Sequence, residues 1–208
     1  MKASEAFKIV KQALGTSVET WPGYSPSSVP FAIYDDEDVF YLNHPSPPPE
    51  RPSQLVAATS IEIGGVKTAT IPSRMCPDDK ELIPLVYHEG FHVYQDTGRF
   101  QFNEQFNFFR TLAYYPELDS TYRALCYAEA QVLNDTRLPS SDKAAYLAAI
   151  ARRRYQILAE RESLLAFEKS SERREGTASH VEQKARSQIF GVLPGPVPSL
   201  YGWSRQYM

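Results

Sequence analysis

Two histidines and a glutamate in YHEGFHVYQ, residues 87–95, have the spacing of a metal-dependent hydrolytic site. His88 and His92 are four residues apart, so an α-helix places both rings on one face, about 6 Å apart at the backbone. Their nitrogens suit one zinc ion, which takes nitrogen ligands at about 2.0–2.1 Å. Glu89 points about 100° away from His88 around the helix axis, so it reaches a zinc-bound water rather than the zinc itself. The pattern His-Glu-x-x-His therefore predicts two zinc ligands and a general base.

A catalytic zinc site needs a third protein ligand beside an open position, and four side chains are candidates for it. They are Glu175, Glu129, His180 and His44. We favour Glu175, because Gly176 and Ala178 remove bulk beside it and would let its helix pack closely on the motif helix.

The other three candidates remain open at this point, each with its own difficulty. Glu129 lies in the otherwise apolar segment LCYAEAQVL, which predicts a buried partner for its charge. His180 is five positions beyond Glu175 and so lies off its face, which favours a histidine on the helix surface. His44 lies before the motif in a proline-rich loop.

The segment HEGFH, followed far downstream by EGTA at residues 175–178, resembles the zincin metallopeptidases, specifically their gluzincin branch. In that branch the third ligand is a glutamate on a later helix, and several members place it in a Glu-Gly-x-Ala context. The resemblance implies His88, His92 and Glu175 as zinc ligands and Glu89 as the general base. It also implies a sheet packed on the active-site helix, with a helical portion behind it.

Two positions depart from the patterns of that branch. Thermolysin-like members carry an aspartate four residues after the ligand glutamate, where this chain has Ser179. Support for the histidines must then come from other residues. Aminopeptidase-like members have an asparagine before the glutamate, where this chain has Arg174, so removal of N-terminal residues is not inferred.

Hairpin signals before the motif predict a small antiparallel sheet. FAIYDDEDVFYLN, residues 31–43, predicts two short strands about an acidic turn. LVAATSIEIGGVKTATI, residues 55–71, predicts a hairpin turning at Gly64–Gly65. In zincins a strand just before the motif helix often borders the cleft, so an extended peptide is expected to pair with the edge of the strand near Val66–Ile71.

Helical periodicity dominates from the motif onward. Asp78 or Asp79 is expected to cap the motif helix, and Gly90 inside it is expected to leave room for backbone or substrate next to the metal. Further helices are predicted near 102–112, 117–136, 141–170 and 172–190, with the run Arg152–Arg154 on an exposed face. The predicted fold is α+β and zincin-like, with a small antiparallel sheet, an active-site helix and a mainly helical C-terminal half. We expect a single domain over residues 1–208.

Composition narrows the class of protein further. The 208 residues are 42% hydrophobic and 23% charged, which is typical of a globular chain. A net charge of −3 argues against a general nucleic-acid binder, and no apolar run approaches the length of a membrane span. The segment MKASEAFKIVKQALG does not have the pattern of a signal peptide, so a cytoplasmic location is the default expectation, with secretion open if a leader is lacking.

The function expected from these residues is zinc-dependent hydrolysis of peptide bonds, with Glu89 activating a zinc-bound water. A peptide or protein is the expected substrate, and neither nucleic acid nor membrane is an expected partner. The alternative is a catalytically inactive zincin-fold domain that binds zinc or serves as a scaffold.

Overall fold

The structure is a computed structural model that describes residues 1–16, 18–98, 100, 119–159 and 162–192, without the side chains of residues 162 and 163. It is an α+β protein, and the described residues form four strands and five α-helices. The chain divides into two compact units, Met1–Gln101 with Thr177–Pro194 and Phe102–Gly176 with Gly195–Met208. The single domain expected over residues 1–208 stays a prediction. Within the described residues, every α-helix is too short or too polar to span a lipid bilayer.

Four short strands in the first unit form one sheet in the order β2-β1-β4-β3. They are β1 (Phe31–Tyr34), β2 (Val39–Leu42), β3 (Thr59–Ile63) and β4 (Val66–Pro72). Both predicted hairpins are confirmed, since β1 pairs with β2 and β3 with β4 in antiparallel register. Gly64 and Gly65 have φ values of 56° and 78°, which suit the tight turn between β3 and β4.

The sheet is mixed, so the prediction of an antiparallel sheet is wrong. Strands β1 and β4 run parallel and join the two hairpins at the centre of the sheet. A turn signal specifies the partner of each strand within its own hairpin but carries no information on how two hairpins meet. The strand near Val66–Ile71 is internal and paired on both sides, so the expectation that an extended peptide pairs with its edge is wrong. The edge strand beside it is β3.

Two helices pack on one face of this sheet, and the end of a third contacts the second of them. They are α1 (Ala3–Leu14), α2 (Asp79–Gln95) and, from Thr177 onward, α5 (Glu162–Phe190). The side chain of Asp78 accepts a hydrogen bond from the Glu81 amide at 3.1 Å, which confirms the predicted cap of α2. Apolar side chains of these helices and of β1 and β4 share one buried cluster. The motif helix α2 is therefore fixed between a sheet and two helices.

The second unit contains α3 (Ser120–Asn134), α4 (Ser140–Leu158) and the first half of α5. The helix expected near 102–112 lies outside the described residues. The expected division of helices near residue 171 is wrong, because α4 ends at Leu158 and α5 continues from Glu162 to Phe190. Buried Phe167 lies before the expected break and buried Ala178 after it, so packing holds the helix on both sides.

A buried ionic cluster lies at the centre of this helical unit. Arg154 is 1% exposed, so its expected place on an exposed face is wrong. Its guanidinium donates to Glu129 at 2.6 Å and to Glu168 and Glu172 at 2.5 Å, and Tyr122 also donates to Glu168. Burial raises the pKa of Glu129, whereas the charge of Arg154 lowers it. The carboxylates of Glu172 and Glu168 raise it again, and the pKa of Glu129 stays above its usual 4.5.

Candidate metal centre

The motif helix is held against the sheet by aromatic residues behind it. The Tyr24 hydroxyl donates to the carbonyl of Tyr87 at 2.9 Å, in the turn that carries the first histidine. A Cβ atom placed on Gly90 would lie 2.6 Å from the Tyr24 Oη and 2.9 Å from the Phe31 Cζ. The expectation that Gly90 leaves room beside a metal is wrong, because its missing side chain admits core aromatic rings instead.

The two motif histidines are buried and face each other. His88 and His92 are 7% and 6% exposed, and their Nε2 atoms lie 3.1 Å apart. Two nitrogens bound to one tetrahedral zinc at 2.0–2.1 Å would be separated by about 3.3 Å. Nitrogen lone pairs that face each other at such a distance repel unless a proton or a metal ion lies between them. The separation of 3.1 Å is close to the value expected for two ligands of one zinc ion.

Both rings are held through their other nitrogen. The Nδ1 of His88 lies 3.0 Å from the Glu182 Oε2, and the Nδ1 of His92 lies 2.8 Å from the Gln95 Oε1. An oxygen acceptor at Nδ1 favours the tautomer with its hydrogen there and its lone pair on Nε2. A metal that binds at Nε2 requires this tautomer.

Glu182 is itself part of a charged chain that joins α5 to the start of α2. Arg186 lies 3.6 Å from the Glu182 carboxylate and donates to both carboxylate oxygens of Glu81, at 2.9 and 3.1 Å. Burial raises the pKa of Glu182, but the hydrogen bond and charge of His88, together with Arg186, bring it below its usual value. The Glu182 carboxylate, 3.0 Å from Nδ1, is thus placed to accept the hydrogen of the His88 ring.

Among the residues that the structure describes, Glu175 has a carboxylate close to both histidines. One of its oxygens and one ring nitrogen each of His88 and His92 all lie within 4.8 Å of one another. Glu175 lies two residues before Thr177 on the same uninterrupted helix, α5. The expectation that Gly176 is needed for close packing of this helix is wrong, because a Cβ atom there would meet nothing within 4 Å.

The other candidate residues have different surroundings. Glu89 is 3% exposed on α2, directly after the first histidine. Glu129 has the buried partner predicted for it, Arg154, and His180 is exposed with its ring edge against Trp21. His44 is buried and bonded through Nε2 to the carbonyl of Ile63 at 3.1 Å. Zinc binding by His88, His92 and Glu175 stays a prediction.

The sequence reasoning missed three residues that support the rings: Gln95, Thr177 and Glu182. Two of them carried a signal, since Gln95 is three residues after His92 and Glu182 is seven residues after Glu175, each on the same helix face as its reference residue. Thr177 carried none. Comparison of the chain with protein-family models, with curated proteins and with solved structures finds no match.

Proposed function

We propose that the protein is a zinc-dependent hydrolase of peptide bonds. The observation that carries the proposal is the meeting of His88, His92 and Glu175, with an oxygen acceptor beside the Nδ1 atom of each histidine. Two imidazoles and one carboxylate form the ligand set of several catalytic zinc sites, which keep a fourth position for water or substrate.

Each residue has a separate role in this proposal. Zinc at such a site would lower the pKa of a water towards 7 and polarise a substrate carbonyl. Glu89 is the general base that takes the proton of the attacking water and passes it to the leaving amine. Its burial at 3% exposure keeps bulk water from competing for the proton.

The position of β3 supports an extended substrate. β3 is an edge strand of the sheet and packs against α2, and no strand in the described ranges pairs with its outer side. The Ser60 hydroxyl on β3 also donates to Asp96 at the end of α2, at 3.2 Å. An extended peptide that adds to this edge would gain backbone hydrogen bonds close to the motif helix.

The test separates the metal from the chemistry. Zinc content is measured by mass spectrometry, and hydrolysis is measured on a mixed peptide library with and without chelator. We expect Glu89→Gln to retain zinc and lose hydrolysis by at least about a hundredfold, as removal of a general base requires. His88→Ala is expected to lose the zinc and, with it, the activity.

Two outcomes would contradict this proposal in different ways. Full activity of Glu89→Gln would show that another group is the base. Stoichiometric zinc in the wild type, with no cleavage of any peptide, would favour the zinc-binding or scaffolding alternative.

A further inference from the structure

Beyond the proposed ligands, a polar link joins the second histidine of α2 to α5. Gln95 is fully buried; its Oε1 lies 2.8 Å from the Nδ1 of His92, and its Nε2 donates to the Thr177 hydroxyl at 2.7 Å. A side-chain amide has one accepting and one donating end, so fixing one end fixes the other. The contact with Thr177 therefore decides which end of Gln95 faces the ring.

We propose that Gln95 and Thr177 are positioning residues that lock His92 in the tautomer with its hydrogen on Nδ1 and its lone pair on Nε2. A threonine in a helix commonly donates its own hydroxyl hydrogen to the carbonyl one turn earlier. Its lone pairs then remain to accept from the Gln95 amide. The amide oxygen is consequently held towards Nδ1, which must donate.

Reversal of the amide would have the opposite effect on the ring. The Gln95 NH₂ group would donate to Nδ1, the hydrogen of His92 would move to Nε2, and the atom that faces His88 would no longer have a lone pair. The two histidines thus have different locks. A carboxylate, which can only accept when ionised, holds His88 without help, whereas the neutral amide beside His92 needs Thr177 to orient it.

The role of this lock in metal binding rests on the proposed function, but the tautomer can be tested without metal or substrate. Thr177→Val removes the hydroxyl at nearly constant shape, and Thr177→Ser retains it. Ser179→Ala is the matched control on the same helix, at the position where thermolysin-like members carry their supporting aspartate. In the metal-free protein, the ¹⁵N chemical shifts of the His92 ring distinguish the two tautomers directly.

We expect Thr177→Val to shift the His92 population towards the tautomer with hydrogen on Nε2, and to weaken zinc binding about 10- to 100-fold in a chelator competition. Thr177→Ser and Ser179→Ala should resemble the wild type in both measurements. The additional change Gln95→Glu should make Thr177→Val silent, because a carboxylate accepts from Nδ1 in either orientation.

An unchanged His92 tautomer in Thr177→Val, with zinc affinity within twofold of the wild type, would overturn the lock. Because the tautomer is read without metal or substrate, that result is distinct from failure of the proposed hydrolysis. A protein that shows the tautomer shift but cleaves no peptide would retain the lock and lose the enzymatic proposal.

Discussion

Arg154 offers a sharp test of the energetics of the helical unit, because its neighbour in sequence provides the control. Arg154 is 1% exposed and is bonded to three carboxylates, whereas Arg153 is exposed and donates to Gln156 at 3.1 Å. We expect Arg154→Met to destabilise the unit strongly and Arg153→Met to leave it almost unchanged.

The magnitude follows from the contacts of Arg154 with Glu129, Glu168 and Glu172. With charge centres about 4 Å apart and an effective dielectric constant near 20, each pair contributes roughly 4 kcal/mol of attraction. Desolvation of the four groups and repulsion among the carboxylates offset much of the sum. Removal of the cation leaves buried carboxylates uncompensated, for which the expected loss is about 3–5 kcal/mol. For Arg153→Met the expected change is within about 0.5 kcal/mol.

The assay is urea unfolding at pH 7, combined with amide hydrogen exchange in α3 and α4 to localise the loss. The loss in Arg154→Met should shrink as the pH falls towards 4.5, because the orphaned carboxylates then take up protons. Equal stability of the two variants at pH 7 would refute the role assigned to the cluster.

Two further predictions concern a glycine of the motif helix and a carboxylate of the ionic cluster. Gly90→Ala should lower the free energy of unfolding by about 1–3 kcal/mol, because its Cβ would lie 2.6 Å from the Tyr24 Oη. Gly176 has open space around it, so Gly176→Ala should instead raise the free energy of unfolding by up to about 1 kcal/mol through helix propensity. Urea unfolding measures both variants, and a change of the same sign in both would contradict the packing described for Gly90. Glu129 has a pKa that folding raises, so its contribution to stability is present below about pH 4.5 and is lost as the pH rises through the folded-state pKa. Between pH 4.5 and 7.5, the free energy of unfolding should therefore fall less steeply in Glu129→Gln than in the wild type. Glu50 is exposed, so the control Glu50→Gln should show the same slope as the wild type.

Local signals predicted the elements of the fold better than their arrangement. The glycine pair Gly64–Gly65 and the cap Asp78 both act within a few residues, and the structure confirms both. The parallel contact of β1 with β4 depends instead on the long connection between the hairpins. Its residues specify no turn type, so the sequence favoured the simpler antiparallel sheet.

In the run Arg152–Arg154, the local excess of charge hides the helical periodicity of the segment. Three arginines in sequence are typical of a solvated face, and for Arg153 that interpretation is correct. Arg154, however, is four residues after Ile150 and four before buried Leu158, so it lies on the apolar stripe of α4. Helical phase, applied before charge, would have predicted its burial.

In the candidate metal centre, too, some features follow from neighbouring residues in the sequence and others from distant ones. The spacing of His88 and His92 determines that the two rings share a helix face, and no tertiary contact is needed to predict it. Which ring nitrogen carries the lone pair depends on contacts with α5. Thr177 contacts Gln95 across 82 positions of sequence, and Glu182 contacts His88 across 94. A motif of this type therefore predicts the candidate ligands, while the contacts of Thr177 and Glu182, which the motif does not predict, hold the rings in the tautomer on which our proposal depends.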